Sequence, residues 1–204
     1  MNARRFRLLV PGVDLGDLAA DADLLRDEWI EERAGAAAAG DVVAFDDLFR
    51  TLLPAVYRYV ALQVPTREDA EDVCQVIFER LVVTLPTHRP GGVPFVTRVF
   101  RLARAVVLEQ DRRRRRSAAV EEREPQLPPL PEELVIEGLE RAQVASALAS
   151  LTPDQRHAVA LRYGAGMSAE EAARVMGRQA GTIRGLTFRA IAAIRRHVSG
   201  SQDR

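Results

Sequence analysis

The chain has 204 residues, of which 47% are hydrophobic, and its 29 basic and 29 acidic residues give a formal net charge of zero. Cys74 is the only cysteine, so a disulfide within the chain is excluded, and no apolar run reaches the length of a membrane span. We therefore expect a cytoplasmic protein without membrane insertion, and the short apolar stretch before Pro11 is too short for a secretory signal.

The zero net charge conceals strong segregation along the chain. Residues 98–116 carry 8 arginines against 2 acids (+6), residues 117–140 carry 1 against 7 (−6), and residues 141–204 carry 10 against 4 (+6). Segregated charge of this kind affects which partners the protein attracts and how they approach, and it does not determine the fold. Because both basic segments end a predicted helical unit, the pattern favours a nucleic acid partner over a merely solvated surface.

The first predicted helices lie between residues 45 and 85. Apolar residues recur at helical spacing over 45–64, with Pro54 expected to kink or divide that helix. Thr66 is a plausible N-cap for a second helix, whose first turn is acidic. A third helix over roughly 95–115 follows a loop rich in proline and glycine, and it ends in five consecutive arginines.

Residues 117–135 contain four prolines and five glutamates and predict an extended, solvated linker at a domain boundary. A further helix is expected over 137–151. Thr152 and Gln155 then form one capping signal, and Ser168 and Glu171 form a second. The helix that begins at Ser168 stops at a glycine turn and is followed by a long arginine-bearing helix, which is the pattern of a helix-turn-helix.

The segments "AFDDLFRTLLPAVYRYV" and "REDAEDVCQVIFERL", followed by the helix ending in "RRRRR", resemble region two of extracytoplasmic-function (ECF) sigma factors of the sigma-70 superfamily. The segment "ASLTPDQRHAVALRYGAGMSAEEAARVMGRQAGTIRGLTFRAIAAIRR" resembles region four of the same family. Together the two resemblances span about residues 42–116 and 141–197.

This resemblance implies an all-α fold with two small helical domains joined by a flexible acidic linker. It also implies a function: binding to the clamp and flap of core RNA polymerase, and recognition of the −10 and −35 elements of promoter DNA. An anti-sigma factor is a possible further partner. We expect the chain to divide into five parts: an N-terminal extension 1–40, a region two-like domain 41–116, a linker 117–137, a region four-like domain 138–198 and a tail 199–204.

The resemblance also assigns candidate residues. Those expected to contact DNA are Arg98, Arg101, Arg104, Arg112, Arg113, Arg114, Arg115 and Arg116 in the first domain, and Arg178, Thr182, Arg184 and Arg189 in the second. Those expected to contact the polymerase clamp are Asp72, Gln75 and Glu79. Cys74 and Phe78, on the same helix, are interpreted as packing residues. The acidic linker either resembles the segment that follows the RNA exit path in this family or is a simple spacer.

Several positions depart from the family pattern. Arg98 stands where tryptophan is usual, and Ala105 stands where asparagine is usual. In the recognition helix, Leu186 replaces an exposed arginine, Thr187 replaces a buried leucine, and Phe188 replaces a polar residue. A shift of this helix by one position would instead bury Leu186. Because of these departures, promoter recognition by the second unit is a weaker expectation than polymerase binding.

Two alternatives to a complete sigma factor stay open: a free-standing helix-turn-helix regulator, and a sigma-like protein with degenerate promoter contacts. An enzyme is not expected, because the three histidines His88, His157 and His197 lie in separate segments without metal-ligand spacing, and no catalytic motif appears. No metal or cofactor is therefore predicted. One helical face before residue 30 is apolar, and it either covers the basic surface, binds a regulator or decorates the surface; its residues are Leu15, Leu18, Ala22, Leu25 and Trp29.

Overall fold

The computed structural model describes residues 27–117 and 146–202. Every regular element within these ranges is helical, which confirms the all-α prediction. No helix in these two ranges combines the length and the apolar character required to cross a membrane. The predicted linker lies almost entirely outside the described residues, as do Leu15, Leu18, Ala22 and Leu25 of the N-terminal segment.

The first helical unit begins with the part of the N-terminal segment that is described. Its elements are α1 (Asp27–Ala38), α2 (Val42–Ala61), α3 (Arg67–Thr84), a 3-10 turn (Leu85–Thr87) and α4 (Phe95–Ser117). In α1, Ile30 and Ala34 are fully buried against the rest of the unit, and Trp29 packs on its edge. This helix is thus part of the bundle, although it precedes the predicted start of the domain at residue 41.

Local signals set the starts of the next two helices. The Asp41 carboxylate accepts backbone N–H bonds from Val43 and Ala44 at 2.9 and 3.1 Å and caps α2. The Thr66 hydroxyl accepts a bond from the Asp69 backbone N–H at 3.1 Å, which confirms the predicted cap of α3. Pro54 lies inside α2, but the helix is continuous over Val42–Ala61, so the proline does not divide it.

The second helical unit contains a helical turn over 146–149, α5 (Pro153–Val159), a wide π-type turn (Ala160–Gly164), α6 (Ala169–Met176) and α7 (Ala180–Gln202). Both predicted capping boxes are formed, one by Thr152 with Gln155 and one by Ser168 with Glu171. Gly177 ends α6 with a φ of 63°, a left-handed conformation that glycine adopts without steric cost. The helix-turn-helix therefore follows from local signals.

The two units pack against each other. Helix α2 contacts the turn Ala160–Gly164, helix α4 contacts α6, and the buried apolar residues of both units form one continuous cluster. A Cβ atom added at Gly164 would lie 3.0 Å from the Arg58 carbonyl oxygen and 3.1 Å from Leu62 Cδ1. Glycine at this position therefore allows the close approach of the units.

Candidate nucleic-acid and polymerase interfaces

Helix α4 separates an apolar face from an arginine-rich face. Val99, Phe100 and Ala103 are fully buried and hold the helix in the first unit. The predicted DNA-contacting arginines whose side chains are described differ in their exposure. Those that are exposed are Arg101, Arg112, Arg113 and Arg116, and those that are half-buried are Arg98, Arg104 and Arg114; the side chain of Arg115 lies outside the described part of the molecule.

Part of the arginine run is engaged in ion pairs within the first unit. Arg113 pairs with Glu109 at 2.5 Å, and the same carboxylate binds Arg80 at 2.9 Å. The hydrogen bond and positive charge of Arg80, followed by the charge of Arg113, lower the pKa of Glu109. Arg114 pairs with Asp69. Burial alone would raise the pKa of Asp69, but hydrogen bonds from Arg114 and Thr66 lower it.

The middle of α4 contacts the second unit. The Arg101 guanidinium donates to the carbonyl oxygen of Arg174, with Nη2 at 2.7 Å, near the C-terminal end of α6. Arg104 Nη2 lies 3.6 Å from one Asp154 carboxylate oxygen, and Arg178 Nη2 lies 3.3 Å from the other. Two arginines that the sequence assigns to different DNA surfaces therefore share one carboxylate where the units meet.

A buried polar contact also joins the units. The Tyr59 hydroxyl lies 2.8 Å from His157 Nδ1, and both side chains are buried. Burial, followed by the positive charge of Arg104, lowers the pKa of His157 to about 4 from its usual 6.5. Burial raises the pKa of Tyr59 far above its usual value. The imidazole is therefore neutral at pH 7, and the pair holds α2 to α5.

Sequence reasoning missed this contact, since it considered His157 only as a metal ligand. Two further interdomain bonds accompany it: Arg58 Nε donates to the Gly164 carbonyl at 2.8 Å, and Gln63 Nε2 donates to the Arg156 carbonyl at 3.3 Å. The partners are about 100 residues apart along the chain, so no local pattern links them.

The recognition helix α7 keeps the orientation that the family pattern implies. Ile183, Ala190 and Ile194 are buried, and Thr187 is also buried, with its hydroxyl donating to the Ile183 carbonyl at 2.8 Å. Leu186 is half-buried against the same core. The fold thus accommodates threonine at the inward position without the one-position shift, and the hydroxyl finds a partner inside the helix.

The outward face of α7 carries the predicted DNA contacts. Thr182, Arg184 and Arg189 are exposed, as is Arg178 just before the helix. Arg184 forms an ion pair with Glu170 of α6. Phe188 is 76% exposed between these polar residues, so the departure from the family pattern lies directly on the candidate DNA surface.

The candidate polymerase residues lie on one side of α3. Asp72 and Glu79 are exposed, and Gln75 is half-buried and donates from Nε2 to Glu79 Oε1 at 2.9 Å. Cys74 and Phe78 are buried on the other side, where burial raises the pKa of the Cys74 thiol. Both residues are packing residues, as predicted, and the three polar residues are available to a partner.

Comparison with known proteins gives matches to both halves. Residues 48–117 match the family model described as sigma-70 region 2, and residues 147–196 match the one described as sigma-70, region 4. The ECF RNA polymerase sigma factor BldN of Streptomyces coelicolor is 32% identical over 182 residues, covering 87% of this chain and 68% of that protein.

Solved structures share the fold. The sigma factor RpoE of Bartonella quintana, in complex with the anti-sigma factor NepR, is similar with a TM-score of 0.64 and 23% identity, over 78% of this chain and 98% of that one. CnrH, in complex with the cytosolic domain of CnrY, is similar with a TM-score of 0.65 and 26% identity, over 84% of this chain and 98% of that one. The likeness therefore extends across both helical units.

Proposed function

Because this chain belongs to the ECF sigma factors of the sigma-70 family, we propose that its two helical units bind core RNA polymerase and promoter DNA on separate surfaces. It is a sigma factor that directs promoter-specific initiation of transcription. The observation that carries this function is the presence of both sigma-70 regions, in order, in one chain. We place the protein in the cytoplasm, where core polymerase acts.

The polymerase clamp binds α3 in this proposal. Asp72, Gln75 and Glu79 offer carboxylate and amide groups on one side of the helix, while the other side is fixed in the core. A fixed helix that presents polar groups in a defined arrangement is a suitable docking surface for a basic partner. The flap would then bind the second unit, as the resemblance implies.

Promoter DNA binds two arginine-bearing helices. We assign −10 recognition to α4, with its exposed arginines toward the phosphates, and −35 recognition to the outward face of α7.

We extend the first domain back to α1, because Ile30 and Ala34 are fully buried in it. The family is not known for catalysis, and we propose no chemical step, metal or cofactor for this chain. An anti-sigma factor remains a proposed partner by analogy with the RpoE complex.

The test of the function is transcription in vitro with core RNA polymerase on genomic fragments. The docking surface is tested by co-purification of core polymerase with the wild-type chain and with the double variant Asp72→Ala and Gln75→Ala. We expect the double variant to bind core polymerase roughly tenfold more weakly, since a few central contacts usually dominate an interface. Asp46→Ala, at an exposed site on α2, is the matched control and should bind as the wild type does. Equal co-purification of the double variant would contradict the assigned docking surface.

A further inference from the structure

Helix α4 begins without a capping side chain of its own. Pro94 precedes its first residue, Phe95, and a proline offers neither a hydroxyl nor a carboxylate for the first-turn N–H groups. The side chain of Glu31, which lies in α1 64 residues earlier, accepts the Phe95 backbone N–H through Oε1. A carboxylate from another helix therefore caps α4, and its negative charge is favourable at this end of the helix dipole.

The second oxygen of the same carboxylate faces His88. Glu31 Oε2 lies 3.3 Å from His88 Nε2, and the imidazole has no solvent-exposed area. The ring packs edge-on against Phe95, with centroids 5.1 Å apart. Burial lowers the pKa of His88 although Glu31 raises it, so the imidazole is neutral at pH 7.

The other nitrogen of His88 orients an arginine of α4. Arg98 Nη1 lies 2.9 Å from His88 Nδ1. A guanidinium can only donate, so Nδ1 accepts, and the single proton of the neutral ring lies on Nε2, toward the Glu31 carboxylate. Arg98 Nη2 lies 3.4 Å from the Thr87 hydroxyl as well. Glu31, His88 and Arg98 thus form one polar chain from α1 to the surface of α4, in which the contact between Glu31 and His88 is electrostatic, since Nε2 makes no hydrogen bond of good geometry.

This chain explains a departure from the family pattern. Arg98 stands where the resemblance leads one to expect tryptophan, and a half-buried guanidinium requires polar partners that an indole does not. His88 and Thr87 supply them, and Glu31 contacts the opposite edge of the His88 ring. The three residues therefore lie in one polar cluster.

We propose that Glu31 and His88 are positioning residues for promoter opening: they fix the first turn of α4 and the Arg98 guanidinium, so that α4 meets promoter DNA in one orientation. The inference rests on the proposed function of α4. It does not require the polar chain for folding, because Ile30 and Ala34 hold α1 in the core, and Phe95 and Phe100 hold α4, independently of Glu31.

The experiment uses the full chain with core RNA polymerase on a promoter recovered by in vitro transcription of genomic fragments. Permanganate reactivity of unpaired thymines measures promoter opening, and a separate titration measures polymerase affinity. We expect Glu31→Ala to reduce opening roughly tenfold, the loss typical of one hydrogen bond to a charged group, with polymerase affinity unchanged. Glu31→Gln keeps an acceptor for Phe95 and should recover part of the opening.

Glu32→Ala is the matched control, because Glu32 is exposed on the same helix, and it should open the promoter as the wild type does. Opening by Glu31→Ala at the control level would overturn the inference. So would a parallel loss of polymerase affinity, which indicates a structural role alone. If Glu31→Ala does not fold, His88→Gln carries the same test, and wild-type opening by that variant overturns the inference. A wild-type chain that opens no promoter would refute the proposed function instead.

Discussion

His157 is a titratable residue that the contact between the two units keeps neutral. Its imidazole meets the Tyr59 hydroxyl at 2.8 Å, and burial is the largest cause of its lowered pKa of about 4. An unfolded chain carries the same imidazole with a pKa near 6.5. Between these two values the unfolded state binds more protons than the folded state, so folding stability must rise with pH in this window.

We expect the free energy of unfolding to fall by about 2 kcal/mol between pH 7.5 and pH 5 because of this one residue. The stability is fully present above pH 6.5 and is lost as the pH falls toward 4. His157→Asn keeps a hydrogen-bonding group for Tyr59 but cannot take up the proton, so it should remove the His157 share of the pH dependence and leave that of His88, whose pKa is also lowered. Denaturant titrations at both pH values measure the free energy of unfolding, with His197→Asn as the control.

If the free energy of unfolding of His157→Asn changed with pH as much as that of the wild type, other groups would be responsible for the pH dependence. Charged groups that act on the ring are Arg104, Asp154, Arg156 and Asp111.

At the scale of helices, the parts that sequence could predict are those set by neighbours within one turn. Thr66, Thr152 and Ser168 cap their helices as predicted, because a capping bond spans only three residues. The start of α4 could not be predicted in this way, since its cap comes from Glu31 in another helix. The contact of Tyr59 with His157 likewise depends on how the units pack, which no periodicity encodes.

Helix α4 uses its arginines in two ways. Arg113 and Arg114 pair with acids of the first unit, and Arg112 and Arg116 are exposed near the C-terminal end of the helix. An arginine that is paired with a carboxylate has fewer hydrogen-bond donors free to bind a phosphate than an arginine that faces solvent. The proposed DNA contacts of this run should therefore be concentrated in the exposed pair.

Replacing both Arg112 and Arg116 with glutamine should weaken open-complex formation and flatten its salt dependence. Each phosphate contact contributes roughly 0.9 to the slope of log affinity against log salt concentration, so the loss should be about 2. Filter binding or transcription over a range of salt concentrations measures the slope. Arg50→Gln, at an exposed site on α2, is the control and should leave it unchanged. An unaltered slope in the double variant would mean that these arginines do not contact phosphates.

At the scale of the whole molecule, the contact between the units limits what DNA can reach. Arg101 donates to the Arg174 carbonyl and Arg104 lies next to Asp154 of the second unit, so both guanidinium groups of the proposed −10 helix are engaged there. Thr182, Arg184 and Arg189 of α7 are exposed, whereas Arg178, just before α7, shares Asp154 with Arg104. The packed arrangement therefore leaves most of the proposed −35 surface exposed and engages two arginines of the proposed −10 helix. We predict that promoter binding by both helices requires the units to separate.

Gly164→Ala should weaken the contact between the units. Its Cβ would lie 3.0 Å from the Arg58 carbonyl oxygen, so the neighbouring backbone would have to shift by a few tenths of an ångström. We expect the weakened contact to open more often, which gives a larger radius of gyration by small-angle scattering and tighter binding to nonspecific duplex DNA, because the Arg101 and Arg104 guanidinium groups are released from the Arg174 carbonyl and Asp154. Gly181→Ala is the matched control, since a Cβ there meets nothing within 4 Å. A Gly164→Ala chain as compact as the control, with the same affinity for duplex DNA, would show that the contact between the units does not restrict α4.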